Sequence, residues 1–196
     1  MSYRRSRNGK KYLFAFIIVL LCSVALGFIA DFVIQKAELA IYKKPEELAP
    51  YVSKYSEKYD VPEHVIYSVI KAESGFDELA KSGAGAMGLM QMMPETFEDL
   101  ASNHFGENCV QSNLYDPEIS IKYGTYYLSY LYERYGNWSL VFAAYNAGLG
   151  NVDGWLDDKA YSSDGQSLDK IPFKETDKYV SRVEKNIEKY DKLYKE

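Results

Sequence analysis

Apolar positions along the chain follow two regimes. From Leu13 to Ala30 they form one run without a charge, and Asp31 ends it. Eighteen residues at about 1.5 Å each reach roughly 27 Å, enough to cross the hydrocarbon core of a bilayer. From residue 51 onward the apolar positions recur every three or four residues, and strict alternation is absent. Val52, Tyr55 and Tyr59 share one face of a first helix. Asp60-Val61-Pro62 predicts a restart, with Asp60 as cap and Pro62 early in a second helix. Along that second helix Ile66, Val69, Ile70 and Glu73 follow the i, i+3, i+4, i+7 rule, and Gly75 ends it. A loop of small residues, Ser82 to Ala86, follows. Pro94-Glu95-Thr96 opens a third helix with Phe97, Leu100 and Ala101 inward. Asp116-Pro117-Glu118 starts a long helix that stops at Gly136, with Ile119, Tyr123, Tyr126, Tyr127, Tyr130 and Leu131 as its stripe. Asn137 caps a helix over 138–147. The stretch 151–166 reads as a polar loop, with room for a small hairpin within 151–172. A last helix starts near Thr176 and turns Val180, Val183, Ile187, Tyr190 and Tyr194 to one side. The expectation is a mostly α domain preceded by a single N-terminal transmembrane helix.

The flanks give the apolar run a direction. Arg4, Arg5, Arg7, Lys10 and Lys11 all precede it, so the positive-inside rule keeps the N-terminus in the cytoplasm and places the rest outside. A cleaved signal peptide is the competing reading. Its small-x-small site would be Ser23-Val24-Ala25, which lies inside the run, so an uncleaved single-pass anchor in the cell membrane is preferred. Leu20-Leu21 before Cys22 lacks the small residues of a lipidation site. The expected segments are a basic tail at 1–12, an anchor at 13–34, a juxtamembrane linker at 35–50 that ends in prolines, and a domain at 51–196.

The net charge of −5 conceals an asymmetry, because the residues after the first 30 carry 18 basic against 28 acidic side chains. An acidic external domain argues against nucleic-acid binding. Cys22 falls in the membrane and Cys109 outside it, so a disulfide framework is not expected.

Candidate chemistry begins with Glu73. A carboxyl on an apolar helix face is desolvated, which raises its pKa and suits it to general acid work on a glycosidic oxygen. Two-carboxylate glycosidases need a partner acid. Asp77, Glu78 and Glu95 are near in sequence but occupy no position that demands burial, and Glu175 reads equally as a helix-start acid. The Ser82–Met93 segment combines small residues with Gln91, a donor and acceptor suited to an acetamido group, and with Met90, Met92 and Met93 as adaptable apolar surface. Tyr145 and Asn146 supply a stacking ring and an amide ahead of Gly148. His64, His104 and the aspartates of the 157–169 stretch have no metal-ligand spacing, so neither metal nor cofactor is expected.

Four blocks occur in order: Glu73-Ser74-Gly75-Phe76, Gly88-Leu89-Met90-Gln91-Met92-Met93-Pro94, Ala144-Tyr145-Asn146-Ala147-Gly148 and Glu175-Thr176-Asp177-Lys178-Tyr179-Val180. Together, over about residues 45–194, they resemble the soluble-lytic-transglycosylase type of peptidoglycan lytic transglycosylase. The resemblance implies a lysozyme-like helical domain with a glycan-binding cleft. It also implies Glu73 as the catalytic acid and base, with Ser82, Gln91, Met93, Tyr145, Asn146, Glu175 and Tyr179 binding substrate. Lys178 stands where many members have arginine, a departure expected to touch surface contacts only. The implied partners are peptidoglycan glycan strands and, through the N-terminal helix, the membrane. A partner in a cell-wall or secretion machine is left open. Two other readings remain at this point. One is a goose-type-lysozyme-like hydrolase that uses Asp77 or Glu95 to hold water. The other is a non-catalytic membrane-anchored glycan-binding module.

Overall fold

A computed structural model describes residues 5–194 of the chain. Arg4 of the basic cluster, Lys195 and Glu196 lie outside the described residues, as do the side chains of Arg5, Arg7 and Lys10. The chain divides into two compact units, residues 1–43 and 44–196.

The first unit is one helix, α1 (Arg5–Ile41). It contains the only stretch among the described residues that is long and apolar enough to cross a membrane, Lys11–Ile41. Its apolar side chains, Phe14, Leu20 and Phe28 among them, face outward all round. The Ser23 hydroxyl donates to the Val19 carbonyl at 2.8 Å, which satisfies the one hydroxyl in the run. The helix continues past residue 34, so 35–41 are helical rather than linker. Nothing in Gln35-Lys36-Ala37-Glu38-Leu39-Ala40 breaks a helix, and the first proline is Pro45.

The second unit comprises α2 (Ala49–Tyr59), α3 (Glu63–Glu73), α4 (Pro94–Asp99), α5 (Pro117–Tyr135), α6 (Trp138–Ala147), α7 (Leu149–Asp157) and α8 (Lys174–Tyr194). Pro50 lies in the first turn of α2, where its missing N–H costs nothing, so it begins the domain's first helix instead of ending a linker. Asp60 does not cap α3. It ends α2 in a left-handed conformation, φ 53°, and the backbone there accommodates the short polar side chain. The α5 and α6 boundaries fall where the caps predicted. The Asp116 side chain accepts from Ile119 N, the Asn137 side chain accepts from Ser139 N, and Gly136 is left-handed.

α5 is the central rod. Of its predicted stripe only Tyr123 and Leu131 are fully buried, while Ile119, Tyr126, Tyr127 and Tyr130 are half-buried; Ser120, Ile121, Gly124, Thr125 and Leu128 complete the enclosed face, and the helix packs against α2 and α6. α3 and α6 pack in turn on α8, whose inward face includes Tyr179 and Asn186 as well as the predicted aliphatics. Asn186 Nδ2 donates to the Ser68 carbonyl at 3.1 Å and thereby pins α8 to α3. The full burial of Ile66, Val69 and Ile70 contributes roughly 2 kcal/mol each, so the packing that stabilises α3 also fixes where Glu73 points.

Two expectations fail. Residues 149–157 form α7, although Gly150 and Gly154 weaken its helix propensity. The burial of Val152 and Trp155, one turn apart, overrides that penalty. No hairpin lies within 151–172. The only bridges among the described residues join Lys81 to Met87 and Met87 to Met92.

Candidate active site

Glu73 is the last residue of α3. Directly after it the chain reverses through Gly75 (φ 62°) and Phe76 (φ 74°). A left-handed Phe stores strain, and such residues cluster where the surroundings fix a functional geometry. Ser74 supplies that fixing: its hydroxyl donates to the Leu89 carbonyl at 2.8 Å and accepts from Phe76 N at 3.1 Å. The end of α3 is thus tied to the 88–92 segment. By area Glu73 is only half-buried, yet protein crowds its carboxyl. Burial pushes its pKa up to about 7, opposed by a hydrogen bond from Tyr179 and by the charge of Arg182. The buried Tyr179 hydroxyl has no partner in good hydrogen-bond geometry, so its pull on Glu73 is that of a long contact.

The half-buried Tyr145 and the buried Tyr179 stand near enough to Glu73 to feel its charge. Tyr145 Oη donates to the Met90 carbonyl at 2.8 Å, and its ring lies 5.6 Å from that of Tyr127. Both phenols are held well above the usual tyrosine pKa, first by burial and then by the Glu73 charge. Each therefore stays protonated as a donor. The groups acting on Glu73 are Tyr179 and Arg182, and neither is an acid. Asp77 is exposed and spends Oδ1 on Leu79 N at 3.0 Å, and Glu95 is exposed on α4.

The 82–93 segment is a scaffold for two polar heads. Ser82 Oγ accepts from Ala86 N at 3.0 Å, so it holds the small-residue turn together. Gln91 sits at φ 47° and donates both amide hydrogens to backbone, to Ala80 O at 3.0 Å and Gly88 O at 2.9 Å. Its donor capacity is spent and the carbonyl oxygen remains, so Gln91 offers an acceptor rather than the donor-acceptor pair expected from sequence. Met90 and Met92 are core residues, and only Met93 is exposed. Met90 fills the space that Gly124 leaves on α5, where a Cβ would meet its sulfur at 2.4 Å. Asn146 has the opposite polarity to Gln91. Its Oδ1 accepts from Thr176 Oγ1 at 2.8 Å, leaving the amide N–H groups available.

Gln91, Met93, Tyr145 and Asn146 line one recess of about 220 Å³, together with Thr96 and Tyr127. Glu73, Ser82, Glu175 and Tyr179 are not among the residues that line it; Glu175 is exposed in the first turn of α8, one residue before Thr176. Sequence reasoning missed Tyr127, Thr176 and Arg182. Tyr127 looked like core stripe, and Thr176 carried no signal. Arg182 stands three residues after Tyr179 and could have been found from that spacing. Its guanidinium lies 5.8 Å from the Tyr179 ring.

Residues 50–167 match the family described as the transglycosylase SLT domain. The chain belongs to the SLT transglycosylase family. It is 36% identical over 146 residues to the soluble lytic murein transglycosylase of Escherichia coli strain K12, covering 72% of this chain and 22% of that protein. It is also 36% identical over 120 residues to the membrane-bound lytic murein transglycosylase C of Serratia proteamaculans, covering 56% of this chain and 34% of the relative. The chain thus spans between a fifth and about a third of the length of these relatives. The 70 kDa soluble lytic transglycosylase of Escherichia coli superposes with a TM-score of 0.64 at 31% identity, over 74% of this chain and 24% of that one. Lytic transglycosylase Slt of Pseudomonas aeruginosa, solved as an inactive variant with glutamine in place of a glutamate, gives the same TM-score at 33% identity, over 74% of this chain and 24% of its own. Membership in the SLT family accounts for a helical, lysozyme-like fold.

The groups around Glu73 set a pH prediction for this family member. The Arg182 charge favours the Glu73 carboxylate, so Arg182→Gln raises the Glu73 pKa. The alkaline limb of the activity profile is then expected at higher pH than in the parent. An unmoved limb in a pH series of initial rates would remove Arg182 from the site.

Proposed function

We propose that the chain is a lytic transglycosylase anchored in the cell membrane, cutting the β-1,4 bond between N-acetylmuramic acid and N-acetylglucosamine in peptidoglycan. The observation that carries this reading is Glu73. It is a desolvated carboxyl with its pKa near 7, flanked by two protonated tyrosines and with no second carboxylate acting on it. Protonated Glu73 donates its proton to the glycosidic oxygen as the bond to the muramic C1 breaks. The muramic acetamido group assists at C1 from within the substrate. Glu73, now a carboxylate, takes the proton of the C6 hydroxyl, whose oxygen closes on C1 to give the 1,6-anhydro ring. One residue serves as acid and then base, which fits a site without a water-holding acid. Gln91 and Asn146 present an acceptor and a donor across one recess, the pair an acetamido group requires. Ser82, Met93, Glu175 and Tyr179 are assigned to the same cleft on the strength of the family blocks.

Apolar α1 supports a membrane anchor, and the basic cluster before it supports a cytoplasmic N-terminus with the enzyme on the outer face. Mass spectrometry of products from purified sacculi is the test. Anhydro-muropeptides are expected, and reducing ends would favour a hydrolase. A second expectation concerns the anchor. Residues 44–196 form their own compact unit, so this fragment is expected to remain in the supernatant after cell fractionation, while the full chain pellets with membranes. Full chain found in the soluble fraction would count against anchoring.

A further inference from the structure

The peptide between Leu89 and Met90 is held from both sides. Gly88 to Gln91 form a four-residue turn, closed by Gln91 N donating to Gly88 O at 3.1 Å. Met87 and Met92 exchange backbone hydrogen bonds of 3.0 and 3.2 Å at its base. The Leu89–Met90 unit is the central peptide of that turn, and its rotation would reverse the carbonyl and the N–H together. Its carbonyl accepts from Ser74 Oγ at 2.8 Å, at the end of α3, and its N–H donates to Ser120 Oγ at 3.2 Å, on α5. Two helices thus fix one peptide plane. The next carbonyl, that of Met90, takes the Tyr145 hydroxyl from α6 at 2.8 Å. Ser74 directly follows Glu73, so the acid and the phenol are tied to the same turn. Tyr145 lines the recess and stands within reach of the Glu73 charge.

Ser120 is the anchor that local structure does not explain. A serine inside a helix commonly turns its hydroxyl back on the carbonyls of the preceding turn. Ser120 is 1% exposed, and its oxygen accepts from a residue thirty positions away. Alanine has the higher helix propensity and carries no polar atom into the core. It would also leave the N–H of the fully buried Met90 without its acceptor. Ser120 lies outside the four sequence blocks and outside the recess. This inference rests on the proposed lytic reading. We propose that Ser120 is a positioning residue for that reaction, holding the Leu89–Met90 peptide so that the Met90 carbonyl keeps the Tyr145 hydroxyl in place beside Glu73. It acts through the turn and not on the substrate. Without it the peptide keeps one anchor, and the carbonyl that holds the phenol can rotate.

The test compares rates of the full chain, in detergent micelles, on soluble glycan strands, with folding checked by circular dichroism at the assay temperature. Ser120→Ala is expected to lower kcat about tenfold and to leave KM within about twofold. Ser120→Cys, whose sulfur is a weaker acceptor, is expected to fall between the parent and Ser120→Ala. Ser129→Ala controls for stability alone. Ser129 is on the same helix, where its hydroxyl donates to Tyr59 O at 2.7 Å and ties α5 to α2, and its kcat is expected to match the parent. In a Tyr145→Phe background Ser120→Ala is expected to lower kcat by less than about twofold, because the hydroxyl it positions is gone. A full tenfold loss in that background overturns the proposal, as does a parent-like kcat in folded Ser120→Ala. A raised KM with kcat unchanged also overturns it, since Ser120 would then support ground-state binding. If Ser120→Ala is unfolded at the assay temperature, Ser120→Cys decides alone, and a parent-like kcat there overturns positioning. Failure of the lytic reading would appear as reducing ends in the products, whereas failure of this inference would appear as additive losses with anhydro ends intact.

Discussion

Replacing Glu73 with Gln is expected to lower peptidoglycan cleavage by ~10²–10⁴-fold, the range a single acid-base group supplies. The variant should also be more stable than its parent, and the gain should depend on pH. In the folded protein burial raises the Glu73 pKa to about 7 from an ordinary value of 4.5. The native state therefore binds this proton more tightly than the unfolded chain does. Its contribution to stability is fully present below about pH 4.5, falls as pH rises through that window, and is lost above about pH 7. At pH 8 the half-buried carboxylate costs roughly 2–3 kcal/mol, allowing for its partial exposure. Gln has no proton to lose, so the Tm of Glu73→Gln should exceed that of the parent by about 5 °C at pH 8 and by much less at pH 5. Thermal melts at the two pH values decide it. A Tm difference that is the same at both would mean that Glu73 is solvated, and the argument for a neutral acid would fail. A site kept at the expense of stability is expected where function fixes the residue.

Glu73 was legible in the sequence because helix periodicity is a strong signal and three aliphatic neighbours fix the face. The ends of α5 and α6 were legible for a similar reason, since Asp116, Gly136, Asn137 and Gly148 are local devices that act through backbone geometry alone. What sequence reasoning lost depends on tertiary partners. α7 exists because Val152 and Trp155 find a core, which no local propensity reports. Gln91 lost its donors to Ala80 and Gly88, carbonyls brought near by a turn that the chain does not announce. Asn146 reads as a polar head from its residue type, but its free hydrogens follow from Thr176, thirty residues away. Chemistry-bearing residue types were therefore easier to read than their remaining hydrogen-bond capacity.

Gly88→Ala is expected to be the most damaging single-methyl change in the domain. Gly88 has φ 77°, and a Cβ there would lie 1.9 Å from the backbone oxygen of Leu114. The left-handed conformation alone costs an L residue roughly 1–2 kcal/mol. The clash is with backbone, so it is relieved only if the segment moves, which adds about 1–3 kcal/mol. Gly106→Ala separates the two contributions, since Gly106 has φ 64° and nothing within 4 Å of its Cβ position. Urea unfolding of the fragment 44–196 should therefore show a loss of about 1 kcal/mol for Gly106→Ala and of roughly 3–4 kcal/mol for Gly88→Ala. The movement also reaches the site. Gly88 N donates to Ala80 O at 2.9 Å, Gly88 O receives Gln91 Nε2 at 2.9 Å, and the neighbouring Met90 carbonyl holds Tyr145. Cleavage should fall in Gly88→Ala even under conditions where the domain is fully folded, whereas Gly106→Ala should keep its parent's rate. Equal stability losses in the two variants would show that the approach of Gly88 to Leu114 is slack. The rigid platform assigned to Gln91 and Tyr145 would then lose its basis.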